Sequence, residues 1–251
     1  MIKTGLVSVT FRKLSPEEII ELVVQAGLDG IEWGGDIHVP HGDTEKARDI
    51  AQKTKAAGLS VAAYGSYYSL GCEKDKDLPF GKVLESAVAL EAPVIRVWAG
   101  KRASCDADEA YWNMAITESR RIAEMALKQG IKIAFEYHPN TLTDTSESAY
   151  RLMKETNHSN IYSYWQRPLE LNKVECLDSI NKISPWLTNI HTYYYEEKIR
   201  KPLADGISEW KEFMKVIKQL EGDRYSMIEF VIDNAPERFL QDAKALKEIV
   251  R

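Results

Sequence analysis

Cysteine is scarce and scattered: Cys72, Cys105 and Cys176 form no CxxC pair and no zinc-ribbon spacing. An odd, widely spaced set argues against a disulfide framework and for reduced thiols in a cytoplasmic protein. No apolar run approaches the roughly eighteen residues of a membrane helix. The opening residues Met1–Ser8 enter strand-like sequence without the apolar core of a signal peptide. Positive charge is not in excess: 33 Lys and Arg against 38 Asp and Glu give a formal net charge of −5. That balance suits neither a phosphate backbone nor an anionic lipid surface, so nucleic acid and membrane are not expected partners. Nor does any linker, low-complexity tract or composition shift divide the 251 residues. One domain over residues 1–251 is expected, since barrels and sandwiches reach this length as single units.

What the chain does contain is a repeated phrase: an amphipathic helix, a glycine, then a short β-branched or aromatic run. Ser15-Pro16-Glu17-Glu18 reads as a capping box with proline in the first turn. Ile19, Leu22, Val23 and Ala26 follow helical spacing, and Gly27 stops the helix before the strand Leu28–Trp33. The phrase returns around Gly58, 31 residues on, and again around Gly130 and Gly222. With Val94–Trp98, Ile161–Trp165, Leu187–Tyr193 and the N-terminal run, eight strands alternate with helical patterns. Alternation implies a parallel sheet. Eight units in 251 residues predict an α/β fold, a single (β/α)8 TIM barrel. An open dinucleotide-binding sheet would show glycines after its first strand, where this chain has Thr10-Phe11-Arg12-Lys13-Leu14. The charged stretch Cys72–Pro79 reads as a solvated loop after the third strand.

In such a barrel the C-terminal strand ends surround one mouth, where chemistry is placed. Glu136, His191 and Glu229 each end an apolar run, on the fifth, seventh and eighth strands. A buried carboxylate without a partner is costly, so groups of this kind are paired, protonated or metal-bound. Trp33, His38, Trp98, His138 and Arg167 are the expected substrate contacts. His138 lies two residues past Glu136 and on the same face if that strand persists. Tyr64 and Trp165, with Trp33 and Trp98, are expected to form an aromatic wall for a sugar ring, or else to fill the barrel. His41 shares the second-strand loop with His38. Lys198, Arg200 and Lys201 follow the seventh strand, where barrels often bind phosphate, although a basic loop is as readily just solvated.

The endings Ala134-Phe135-Glu136-Tyr137-His138, Asn189-Ile190-His191 and Met227-Ile228-Glu229 resemble the xylose isomerase-like barrel superfamily, in its sugar phosphate isomerase/epimerase branch. The resemblance runs over nearly the whole chain on short motifs. It implies a divalent metal held by glutamate, aspartate, histidine and glutamate from the fifth to eighth strands. Glu136, His191 and Glu229 match the first, third and fourth. The aspartate position is Gln166, followed by Arg167-Pro168-Leu169 where the family has a histidine in place of Leu169. An amide oxygen can still ligate a hard cation, but one negative charge is gone. The expected cofactor is therefore Mn2+, Mg2+ or Co2+ on Glu136, Gln166, His191 and Glu229, with metal dependence left open by Gln166.

The resulting expectation is a cytoplasmic isomerase or epimerase of a small polyhydroxylated carbonyl compound. Glu136 and Glu229 would remove and return a proton beside the carbonyl. A lyase on an oxidised sugar or glycoside stays open, because the same deprotonation leads to β-elimination. So does a non-catalytic sugar-binding barrel, encouraged by Gln166. An apurinic-site endonuclease, also in the superfamily, fits poorly with five histidines and an acidic balance. Stereochemistry, phosphorylation of the substrate and assembly into a homo-oligomer are not legible.

Overall fold

Each helix–glycine–strand phrase folds as one unit of a closed ring. The computed structural model describes residues 1–73 and 78–251. Its barrel strands are β1 (Ile2–Val7), β2 (Gly30–Gly34), β3 (Ser60–Ser69), β4 (Val94–Trp98), β5 (Lys132–Phe135), β6 (Ile161–Gln166), β7 (Leu187–Thr192) and β10 (Arg224–Ile228). A small antiparallel hairpin, β8 (Tyr195–Glu196) and β9 (Ile199–Arg200), intervenes. The helices are α1 (Pro16–Ala26), α2 (Thr44–Ala56), α3 (Phe80–Ala89), α4 (Glu109–Leu127), α5 (Ser146–Thr156), α6 (Lys173–Ile183), α7 (Ile207–Ile217) and α8 (Pro236–Val250). The ring closes in the order β1-β10-β7-β6-β5-β4-β3-β2 with all pairs parallel, a (β/α)8 barrel.

Local chemistry explains why the elements begin and end where they do. Ser15 Oγ accepts from the Glu18 N–H, while Glu18 Oε2 accepts from the Ser15 N–H at 2.7 Å, which completes the capping box of α1. Gly27 ends that helix in the left-handed region at φ 63°, a conformation that costs a residue with a Cβ.

Strand pleating then sorts side chains into two cores. Val7, Val94, Ala134, Tyr164 and Met227 pack inside the ring. Ile31, Ile95, Ile133, Phe135, Ile190 and Ile228 face outward into the helix layer. Trp33 and Trp165 belong to that outer layer. Trp33 donates its indole N–H to Thr54 Oγ1 of α2 at 3.2 Å. Trp165 donates to Ser179 Oγ of α6 and packs edge-on against Trp210 and Phe213, with centroids 5.8 and 5.3 Å away. Rings buried this way each contribute about 2–3 kcal/mol to the helix–sheet contact. Of the stretch expected as a solvated loop, residues 74–77 lie outside the described residues. Cys72 at its start is buried, with the Ser69 N–H directed at its Sγ.

Candidate active site

The C-terminal end of the barrel opens into a pocket of about 430 Å3. Glu136 follows β5 directly, and its N–H still bonds the Val97 carbonyl at 3.0 Å. Gln166 ends β6, opposite His191 of β7. Glu229 comes one residue after β10, its N–H on the Thr192 carbonyl at 3.2 Å. The barrel register therefore delivers all four to one level. His191 Nδ1 lies 3.3 Å from Gln166 Oε1, 3.5 Å from Glu136 Oε1 and 3.3 Å from Glu229 Oε2. Gln166 is oriented by its other end: its Nε2 donates to the Tyr137 carbonyl at 2.7 Å, which turns the amide oxygen toward His191.

Two charged strand residues, placed at the mouth by the sequence but given no role there, complete the floor. Arg96 of β4 donates Nε to Glu32 Oε1 of β2 at 2.7 Å and Nη1 to Glu136 Oε2, which also accepts from the Trp98 indole. Glu32 Oε2 in turn faces His191 Nε2 at 3.5 Å. Gly65 makes the network possible, since a Cβ there would come within 2.7 Å of Arg96 Nη2 and 2.8 Å of Glu32 Oε1. All of these charged groups are buried, and their protonation follows from their neighbours. Burial would raise the Glu32 carboxyl, but Arg96 and then His191 outweigh it and bring it to about 2. The same contest, with Arg96 the strongest opponent of burial, holds Glu136 well below the usual carboxylate range. Burial would lower His191, yet Glu229, Glu32 and Glu136 together push it well above its ordinary value.

The donor set fits a hard divalent cation. Glu136, His191 and Glu229 offer ligand atoms within 4.8 Å of one another. Neighbouring ligands around an ion at ~2.1 Å sit about 3 Å apart, close to the spacings around Nδ1. Glu32 on the second imidazole nitrogen is the carboxylate support that metal-binding histidines commonly have. The carboxylates that favour a proton on His191 equally favour a cation in its place, so the two compete.

The other expected contacts divide. Trp98, His138 and Arg167 line the pocket. His138 stacks on Trp98 with centroids 5.0 Å apart, although β5 ends before it. Its Nδ1 lies 2.8 Å from the Pro139 carbonyl; a carbonyl only accepts, so Nδ1 carries the hydrogen. Trp33 and Trp165 do not reach the pocket, because each is one residue out of phase with the inward-facing Glu32 and Gln166. Tyr64 is likewise turned away, its hydroxyl on the Val39 carbonyl. His38 is buried beneath the rim, with Nδ1 2.9 Å from Ser8 Oγ and its ring edge-on to Trp33. His41 Nε2 is 2.6 Å from the Ser66 carbonyl. Arg200 turns inward to Tyr195 and the Val231 carbonyl, whereas Lys198 and Lys201 border a neighbouring cleft. The pocket gains Tyr67, Tyr193, Tyr195 and Phe230, which the sequence reading did not single out. Glu32 and Arg96 stand within apolar strand runs as Glu136 and His191 do at the ends of theirs, which is the signal for them; these four aromatics carry no comparable one.

A family model described as xylose isomerase-like TIM barrel matches residues 20–165. The chain belongs to this family. It is 22% identical to a 3-dehydroshikimate dehydratase of Bacillus anthracis over 97% of this chain and 96% of that protein. The solved structure of a probable 3-dehydroshikimate dehydratase from the same organism superposes with a TM-score of 0.83 at 21% identity, covering 98% of this chain and 99% of that one. A D-psicose 3-epimerase from Clostridium cellulolyticum gives 0.75 at 16% identity, over 98% of this chain and 97% of that one. A 3-keto-D-glucoside 4-epimerase from E. coli gives 0.73 at 14%, over 98% of each. At these identities the structures share the fold; their reactions differ among themselves.

Proposed function

We propose that this barrel is an enzyme that transfers a proton at the carbon beside a carbonyl in a small polyhydroxylated compound, as a sugar isomerase or epimerase does. The observation that carries this reading is the convergence of Glu136 and Glu229 on His191 at the floor of a pocket sized for one small ligand. Glu136, Gln166, His191 and Glu229 would hold Mn2+, Mg2+ or Co2+. Such an ion supplies positive charge where the carbonyl oxygen becomes negative, lowering the barrier by several kcal/mol.

The chain's own residues are not equivalent in this reaction. Glu136 is tied by Arg96 and Trp98, which fix its orientation and keep it charged. Among the described residues, His191 is the one ion-pair partner of Glu229. Glu229 is therefore the base, and Glu136 the anchor that sets the substrate against it. Proton return to the same carbon from the opposite side gives an epimer; return to the neighbouring carbon gives an isomer.

A second reading, β-elimination, is favoured by this asymmetry. With Glu136 held as an anion, the proton donor that the same pocket lining offers is His138. With its Nδ1–H engaged by Pro139, His138 would act as the imidazolium, whose Nε2 proton goes to a departing hydroxyl. Glu229 takes the C–H proton, the electron pair forms the new double bond, and hydroxide leaves as water with the His138 proton. The dehydratase relative supports this alternative.

Incubation in D2O with a panel of ketoses, keto-glycosides and 3-dehydroshikimate, followed by NMR, tests both. In the first reading deuterium must enter the carbon beside the carbonyl, and Glu229→Gln must slow that exchange by about 10²–10⁴-fold. An epimer or isomer formed without exchange removes that reading. Loss of water with a conjugated product selects the second reading.

A further inference from the structure

The acids around the pocket outnumber its cations, even counting Arg200, which stands behind Phe230 with its guanidinium on the Tyr195 hydroxyl and the Val231 carbonyl. Three arginines line the pocket, and each is already matched. Arg12 meets Asp36 at 2.6 Å, Arg96 bridges Glu32 and Glu136, and Arg167 holds Glu209 through two bonds of 2.8 and 3.2 Å. Against them stand further acids in the lining, Asp144, Glu170 and Glu229. Among the described residues Asp144 and Glu170 make no ion pair; Asp144 only accepts from the Ser104 N–H and Ser148 Oγ. A resident divalent ion would offset two of these charges and still leave the pocket negative. Lys198 and Lys201 in the adjoining cleft share it with Glu196 and Glu197. A phosphate or carboxylate entering here meets a repulsive field, strengthened by low-dielectric walls.

The apolar lining is arranged as two facing walls. Tyr67 of β3 and Trp98 of β4 pack edge-on at 5.2 Å, and His138 extends them. Across the ring, Tyr193 and Tyr195 pack edge-on at 5.4 Å, next to Phe230. Phe230 sits in the left-handed region at φ 61°, held by its N–H on Thr10 Oγ1 at 2.9 Å. Arg200 stacks on it at 5.0 Å. Aromatic faces reward flat, C–H-rich surfaces, which a closed ring presents and an open chain does not.

We propose that the substrate is an uncharged ring ketone, with its apolar faces between the Tyr67–Trp98 and Tyr195–Phe230 walls. This rests on the proton-transfer reading above. Because an ordinary aldose or ketose loses its carbonyl when it closes, the class narrows to neutral rings in which a ring hydroxyl has been oxidised, such as keto-glycosides.

Titration calorimetry of the full chain with four probes tests the inference: methyl 3-keto-glucopyranoside, 3-dehydroshikimate, D-fructose and D-fructose 6-phosphate. The keto-glycoside should bind at least tenfold more tightly than either 3-dehydroshikimate, a charged ring ketone, or fructose. Fructose 6-phosphate should bind no better than fructose. Glu209→Gln, which uncovers Arg167, should raise fructose 6-phosphate affinity several-fold, and Phe230→Ala should weaken the keto-glycoside about tenfold. Tighter binding of 3-dehydroshikimate or the phosphate in the wild type overturns the charge argument. Fructose closes into a ring without a carbonyl, so equal binding of fructose and the keto-glycoside overturns the ring-ketone argument. If none of the four binds, the carbohydrate reading itself fails and takes this one with it.

Discussion

Glu32 and Trp33 are neighbours in sequence and both fully buried, yet they belong to opposite faces of one strand. Inside the ring, Glu32 joins Arg96 and His191; outside it, Trp33 bonds a helix threonine. Trp165 and Gln166 part in the same way on β6. The inner face concentrates charge at the mouth, while the outer face carries the packing that holds helices to the sheet. The acids make the contrast quantitative. Burial penalises Glu32 and Glu136, but both face Arg96 and are lowered, Glu32 to about 2. Asp242, in the outer layer on α8, has no ion pair among the described residues. Burial outweighs its bond from the Leu203 N–H and raises it to about 6. Which face a buried residue serves, rather than how deeply it lies, separates function from packing here.

The comparison can be broken hardest at Arg96. Arg96→Met leaves Glu32 and Glu136 as uncompensated buried charges, and loss of one partner from such a set costs about 3–5 kcal/mol. A urea titration should show that loss together with a collapse of proton exchange; a change below about 1 kcal/mol would mean the charge network does not hold the inner face.

On the outer face, Trp33→Phe removes one hydrogen bond and part of a ring, costing about 2 kcal/mol. The D2O exchange rate should not move. If it falls, the two faces are not separable.

Gln166→Asp sharpens the inner side. It restores a full negative charge beside the other donors and shortens the side chain away from the Tyr137 carbonyl. Calorimetric Mn2+ affinity should rise about tenfold, or ~1.4 kcal/mol; no change would show that Gln166 is not a ligand.

Asp242 gives the smallest effect and a definite sign. Between its ordinary 3.8 and about 6, the native carboxyl keeps a proton that the unfolded chain has released. Stability therefore falls as pH rises through that window and stays lower above it. Asp242→Asn, which can still accept from Leu203, should add about 1 kcal/mol at pH 7.5, less than full burial would give because part of the carboxyl reaches water. The gain should vanish near pH 4, and a pH-independent gain in thermal denaturation would assign it to something other than this charge.

What was legible in the sequence follows from what is local. The capping box at Ser15–Glu18 and the glycine stops are encoded within a few residues, so the β/α repeat can be read directly. Glu136, His191 and Glu229 stand out as polar endings of apolar runs. Aromatic character alone suggests Trp33 as a pocket residue, but the pleat decides otherwise: Ile31, two residues earlier, marks that face as outward. Arg96 reads as a mouth residue, but its role is not legible, because its partners Glu32 and Glu136 are 64 and 40 residues away. The β8–β9 hairpin had no signal either. Its turn residues Glu197 and Lys198 adopt φ of 48° and 64° without the glycine or asparagine that usually announces such a turn.

The seam of the barrel is formed by elements more than two hundred residues apart, with β1 and β10 in register from Ile2 against Arg224 to Leu6 against Ile228. While the chain is being made, seven barrel strands can be laid down with the ring still open. During that time one edge of β1 and one edge of β7 have no neighbour. Such edges are templates for pairing with other chains. Glu229 follows the strand that closes this gap, and the Phe230 N–H then fastens to Thr10 at the other side of the seam. Assembly of the catalytic floor and removal of the aggregation-prone edges are thus one event in the life of the chain, and a nascent chain that stalls before residue 224 gains neither.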